Sequence, residues 1–246
     1  MLKNTAKAIV NSGLRPFGLQ IRKWRRPSHD RYEQCLRLAM GHVARPFAID
    51  IGAHEGQSSA GILELFPQAR ILAFEPAPKT FQALQKCASA KGFEAFNLAL
   101  ADREGEMEFN CFDSSQCNSL LAPVSTVNSV IAGLRQEPVK ELVKISTLDG
   151  LLNARGLSQT PVDYLKVDVQ GFEMPVLRGA AKTLQSTRNI LIEVSFCKAY
   201  QGQCLVDEVC HFLREAGFVL GMTIGYLPAD DFDELVSSDF FFTRKD

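Results

Sequence analysis

Three acidic residues close three successive apolar runs: Asp50 in FAIDIGAHEG, Glu75 in ILAFEP and Asp102 in LALAD. Each alone is an ordinary cap or turn residue. Together, at consecutive strand ends, they form an acidic rim of the kind that accepts the hydroxyls and amino groups of a nucleoside. Glu75 is placed to take both ribose hydroxyls, with Phe74 and Pro76 as an apolar wall, and Asp102 to take an adenine amino group. Gly52 and Gly56 let the first loop turn tightly and bring its backbone close to a ligand. That loop reads G-x-x-x-G rather than G-x-G-x-x-G, and Asp50 and Glu55 stand where a pyrophosphate would be repelled. A cationic nucleoside such as S-adenosylmethionine suits those charges. A nicotinamide dinucleotide does not.

A second constellation lies in YLKVDVQGFE. Lys166 and Asp168 alternate with Leu165 and Val167, which puts both on one face of a strand near its end. Two charges so placed on a mostly buried strand need each other or a polar ligand. Asp168 is the first candidate for a base, or for orienting an acceptor hydroxyl, and Lys166 for tuning its charge or holding an oxyanion. His54, of the one side-chain type that titrates near neutrality, is the second, although capping the next helix explains it equally well. Glu173 opens the following helix, where the dipole favours a carboxylate. Glu193 ends the run ILIE and is a candidate acceptor contact, as are Asn118 and Ser119; a strand exit and a turn are the plainer explanations. No metal-ligating set is evident.

The elements that must hold these residues alternate. Apolar runs at Phe47–Ile51, Arg70–Phe74, Ala95–Leu100, Val162–Val169 and Asn189–Val194 read as strands. Helical spacing fits Asp30–Val43, Gln57–Phe66, Lys79–Ala90, Met174–Leu184 and Leu205–Ala216. Continuous apolar strands between helices indicate a parallel sheet covered on both faces. The alternation pauses around 103–160, where Glu106–Phe112 and Val139–Ser146 read as strands flanking an irregular stretch and a loop–helix region that ends near Arg135. Phe218–Ile224 and Asp239–Thr243 follow with no helix between them, an antiparallel ending. The prediction is an α/β, doubly wound, mostly parallel seven-stranded sheet with a reversed C-terminal strand. Residues 45–246 form the domain, and 1–44 a basic helical extension.

Composition limits the function. Of 246 residues, 46% are hydrophobic and 22% charged, an ordinary globular balance too apolar for a disordered chain. Apolar runs fall far short of the roughly 20 residues that span a bilayer. Residues 1–29 hold seven basic side chains and no acidic one, which leaves 20 basic against 28 acidic in the rest. A body with net charge −8 argues against nucleic acid as a partner. The basic head is a candidate peripheral membrane contact, or a solvated or packing helix, and it lacks the features of a secretory signal. Seven cysteines without zinc spacing suit a reducing cytoplasm, and a helix explains Cys204, Cys210 and His211 without a metal.

In order and spacing, FAIDIGAHEG, AFEP, LALAD, STLDGL and YLKVDVQGFEMPVLRGA resemble the FkbM family of S-adenosylmethionine-dependent methyltransferases. The resemblance covers roughly residues 45–245, and LKVDVQGFE followed by VLRGA is its most specific part. It implies a class I methyltransferase (Rossmann-like) fold and methylation of an oxygen, commonly a hydroxyl on a sugar, glycan or natural product. It gives cofactor roles to Asp50, Gly52, Gly56, Glu75 and Asp102, and makes Lys166, Asp168 and Glu173 an acceptor-side signature. Two positions depart from the family: His54 stands where Asn is frequent, and Gln170 where Glu is common. A nicotinamide oxidoreductase and a cofactor-binding module without catalysis are the rival classes. Oligomeric state is left open.

Overall fold

A computed structural model describes residues 28–124, 137–228 and 235–245. The basic head through residue 27, and most of the loop–helix region expected to end near Arg135, lie outside the described residues. The described chain builds one seven-stranded sheet and one three-stranded sheet. In chain order the elements are α1 (Ser28–Met40), β1 (Phe47–Ile51), α2 (Gln57–Leu65), β2 (Arg70–Phe74), α3 (Pro78–Lys91), β3 (Glu94–Phe96), β4 (Ala99–Leu100) and β5 (Gly105–Cys111). They continue with β6 (Val139–Ser146), α4 (Leu148–Ala154), β7 (Tyr164–Val167), α5 (Glu173–Arg178), α6 (Ala181–Ser186), β8 (Asn189–Ser195), α7 (Val206–Glu215), β9 (Phe218–Pro228) and β10 (Leu235–Arg244).

The large sheet runs β3-β2-β1-β7-β8-β10-β9. Its first five strands pair in parallel, and β10 lies antiparallel to both β8 and β9, so one strand is reversed. The strands are apolar throughout because both faces are covered, and the pleat sorts their side chains. Phe47, Ile49, Ile51, Leu165 and Val167 join the core beneath α4 to α7. Ala48 and Tyr164 turn to the other face, where Cys35, Leu36, Ala39 and Met40 of α1 pack with Ile62 of α2. Asp50 and Lys166 follow Ala48 and Tyr164 by two residues and share that second face.

Two expected elements divide. The run Ala95–Leu100 is interrupted at Asn97, whose side-chain amide donates to the carbonyls of Glu75 and Pro76. Its first part stays in the large sheet as β3; its second, β4, pairs with β6 in the three-stranded sheet β4-β6-β5. The single helix expected over Met174–Leu184 is two short ones, α5 and α6, that turn at Gly179-Ala180.

Gly179 packs directly against backbone: a Cβ there would lie 1.9 Å from the Ala101 carbonyl oxygen. Substitution Gly179→Ala should therefore lower stability by about 1–3 kcal/mol, the usual cost of overpacking, read as a lower urea midpoint at unchanged m. A midpoint equal to wild type would contradict this contact.

Candidate active site

From β1 the chain winds outward through β2 to β3, then returns to β7 on the other side of β1. Loops leaving β1 and β7 diverge at such a switch point, and a crevice opens between them at the carboxyl edge. Here it is a cavity of about 1090 Å³. Its lining includes Gly52 and His54 after β1, Glu75 after β2, Leu98–Leu100 after β3, and Lys166, Asp168 and Gln170 at β7. Tyr32 and Leu36 of α1, Glu193 of β8 and Asp239 of β10 also line it. The volume lies above the roughly 300–1,000 Å³ of a cleft for one small ligand, enough for a cofactor with an acceptor beside it.

The β1 loop is shaped by backbone demands. Gly52 has φ +78°, and a Cβ on it would fall 1.8 Å from the Asp168 carbonyl oxygen, so only glycine lets the β1 and β7 loops touch. The amides of Gly52 and Ala53 both donate to the Phe74 carbonyl, at 3.0 and 2.9 Å. The next amide, of His54, donates to Glu75 Oε2 at 3.1 Å, while that of Ala77 donates to Oε1 at 2.9 Å. His54 itself is left-handed, φ +51°, a region where Asn and His are both enriched; this accounts for His standing in an Asn position. Its Nε2 lies 2.7 Å from Ser115 Oγ.

A line of buried charge crosses from β1 to β7. Asp50, fully buried, is the register partner of Lys166, and its Oδ1 lies 3.7 Å from Lys166 Nζ. The same ammonium donates to Asp168 Oδ2 at 3.1 Å. Ser59 of α2 donates to Asp50 Oδ2 at 2.7 Å. Burial opposes the charge on Lys166, but Asp168 and Asp50 outweigh it and hold the lysine above its usual pKa. Gln170, left-handed at φ +52°, donates through Nε2 to both Asp168 Oδ1 at 2.9 Å and Glu193 Oε2 at 2.8 Å. A glutamate here could not donate to two carboxylates while ionised; the amide can. Ser237 donates to Glu193 Oε1 at 2.9 Å. Burial, then Asp168, Glu173 and Asp239, push the Glu193 carboxyl well above the ordinary range. Burial likewise raises Glu75 to about 7, against the lowering effect of its two amide donors.

The structure brings together Gly52, His54, Phe74, Glu75, Pro76, Asn118, Lys166, Asp168, Gln170 and Glu193 of the residues singled out from sequence. The others lie behind the cavity wall or away from it. Asp102 follows β4, not the third strand of the large sheet, and is exposed and paired with Arg103 at 3.1 Å; the residues before it, Leu98–Leu100, line the cavity instead. Glu173 is buried and takes the Val169 and Gly171 amides on Oε1 at 3.3 and 3.0 Å, which makes it the brace of the β7 loop. Ser119, also buried, donates to the Gln170 carbonyl at 2.7 Å and shapes the same loop from outside. Gly56, φ +94°, begins α2 and backs onto Leu84 and Cys87. Asp50 lies beneath the floor, and the cation opposite it is this chain's own Lys166. Sequence reasoning missed Tyr32, Ser115 and Asp239. Tyr32 sits in a helix read as peripheral, and Asp239 lies in the first half of a reversed strand, the half that reaches the carboxyl edge.

The chain belongs to the family described as the Methyltransferase FkbM domain, which matches residues 50–220. The 2-O-methyltransferase NoeI of Sinorhizobium fredii is 28% identical over 223 residues, 86% of this chain and 88% of that protein. Methyltransferase sdnD of Sordaria araneosa is 29% identical over 65% of this chain and 70% of its own length. Among solved structures, the METTL16 MTase domain covers 98% of this chain and 79% of its own, with a TM-score of 0.50 at 12% identity, a likeness of fold. The fold is that of class I methyltransferases, and the protein is a methyltransferase with S-adenosylmethionine as its cofactor. The site fits that group: the Glu75 carboxyl and the apolar Leu98–Leu100 line one cavity, and the lysine of that cavity is already paired with Asp50 and Asp168. No described helix is long and apolar enough to cross a membrane.

Burial also raises Glu173 from the usual 4.5 to about 7. Such a carboxyl binds its proton more tightly folded than unfolded, so its contribution is intact at low pH and lost as pH rises from about 4.5 through 7. Glu173→Gln keeps an oxygen for the two amides without the charge. Relative to wild type it should gain stability across that window, by up to about 3 kcal/mol at its upper end. Urea midpoints at acidic and alkaline pH check this; the same pH dependence in both proteins would refute it.

Proposed function

We propose that this protein transfers the methyl group of S-adenosylmethionine to a hydroxyl oxygen of a sugar, glycan or other natural product. The observation that carries the reading is the charge of the cavity. Its lysine is locked between Asp50 and Asp168, which leaves Glu75, Asp168, Glu193 and Asp239 facing the space. Such a lining favours a cationic cofactor and an uncharged hydroxyl acceptor, and disfavours a pyrophosphate or an anionic acceptor. The relative named as a 2-O-methyltransferase agrees with oxygen as the acceptor atom.

When bound, the cofactor supplies a methyl group already activated on a sulfonium. What remains for the protein is mainly placement, which in favourable intramolecular cases contributes on the order of 7–11 kcal/mol. Glu75 is the group assigned to the ribose hydroxyls, and Gly52 and Leu98–Leu100 supply backbone approach and an apolar bed. Asp50 and Gly56 act from below, one by fixing Lys166 and the other by starting α2 where the loop needs it. Asp168 and Lys166 form the rigid floor beside the acceptor. Both oxygens of Asp168 are engaged, by Lys166 and by Gln170, which suits it to orienting an acceptor. His54, Asn118, Glu193 and Asp239 are among the polar groups that line the rest of the cavity.

Calorimetry with S-adenosylmethionine, and a screen of labelled methyl donor against methyl pyranosides of hexoses and 6-deoxyhexoses, test this reading. Glu75→Ala should weaken cofactor affinity by about tenfold or more, the loss expected for a charge-assisted hydrogen bond. Asp168→Asn should lower turnover more than affinity. Unchanged affinity in Glu75→Ala, or no label transferred to the hydroxyls of any acceptor in the panel, would contradict it.

A further inference from the structure

Four carboxylates at the sheet edge face the cavity, and three have their oxygens occupied. Glu75 accepts the amides of His54 and Ala77, Asp168 accepts Lys166 and Gln170, and Glu193 accepts Gln170 and Ser237. The ring nitrogen Nε2 of His54 is engaged with Ser115. Asp239 alone among these groups lines the cavity without a hydrogen bond from any described residue. Its position follows from topology. β10 is antiparallel to β8 in the register Asp239↔Glu193, so the early part of this reversed strand stands at the carboxyl edge of the parallel ones.

We propose that Asp239 is the general base that takes the proton of the acceptor hydroxyl. This rests on the reading of the site as an O-methyltransferase centre. In the step, the acceptor oxygen forms its bond to the methyl carbon while the carbon–sulfur bond breaks with its electron pair on sulfur. The oxygen–hydrogen bond breaks as well, and its proton goes to a carboxylate oxygen of Asp239. A base needs a basic lone pair within reach of the acceptor; no described residue donates to either oxygen of Asp239, whereas each oxygen of the other three carboxylates already accepts a hydrogen bond that makes it less basic.

The surroundings tune it in the right direction. Asp239 faces Glu193 on β8, Lys166 and Tyr164 on β7, Asp168 just beyond β7, and Cys35 on α1; Ile224, opposite on β9, carries no charge. Burial, then Asp168, raise its carboxyl to about 6, with Lys166 pulling the other way. A carboxylate brought closer to neutrality takes a proton more readily while remaining ionised at neutral pH.

The test compares wild type with Asp239→Asn, using the labelled methyl donor and the methyl pyranoside panel. S-adenosylmethionine affinity, measured by calorimetry, should hold within about threefold and report that the variant is folded. Transfer should fall by about 100-fold or more. The acid limb of the wild-type pH profile, with its midpoint near 6, should vanish from the residual activity. Carboxylate carbon NMR, with the Asp239 signal assigned by its loss in the variant, should show titration near that same value without any acceptor present. Transfer retained within about threefold, or an unchanged acid limb, would overturn Asp239 as base while leaving the methyltransferase reading intact. Absence of oxygen methylation by wild type would overturn that reading, and the base with it.

Discussion

The site depends on one buried ammonium shared by two carboxylates. Lys166 stands between Asp50 on the neighbouring strand and Asp168 at the end of its own, with Asp50 fully buried and Lys166 9% exposed. Removing such charges from water costs several kcal/mol each, so they persist only where partners hold them. Here the partnership spans the switch point, between the two strands whose loops must part to make a cavity. It fixes the separation of β1 and β7 at the place where the chain reverses its winding. It also takes the lysine out of use as an anion receptor, which makes the cavity acidic as a whole.

Around that frame, local strain and close approach set the finer geometry. Gly52 permits backbone contact with Asp168, and two left-handed non-glycine residues, His54 and Gln170, stand on the two loops. Conformations of this kind persist where the surroundings over-determine them, and they concentrate at functional sites. Gln170 adds a bridge between Asp168 and Glu193, so β8 is tied to the cavity floor. Glu173 and Ser119 hold the same loop through its backbone, from positions that never meet the cavity.

Most of the framework is legible in the sequence because apolar runs and helical spacing report burial directly. The strand at Phe47–Ile51 follows from pattern alone, and so does the placing of Lys166 and Asp168 on one face, where pairing was one of two expectations and is the one observed. The limits are equally physical. Nothing in a run such as Ala95–Leu100 reveals that Asn97 will bind two carbonyls and send the last residues into another sheet, and Asp102 was misplaced for that reason. Glu173 at a helix start is ambiguous by sequence, since a carboxylate there can brace a loop as well as face a ligand. Asp239 and Tyr32 escaped because strand direction and helix docking are tertiary facts. Both lie outside residues 50–220, so the family's shared segment receives part of its cavity wall from flanking elements.

A crystal structure with S-adenosylhomocysteine tests the central claim most directly. The account predicts the ribose hydroxyls against the Glu75 carboxylate, the adenine beside Leu98–Leu100, and Lys166 still bridging Asp50 and Asp168. Ligand density elsewhere, or Lys166 turned from Asp50 to the ligand's carboxylate, would contradict it.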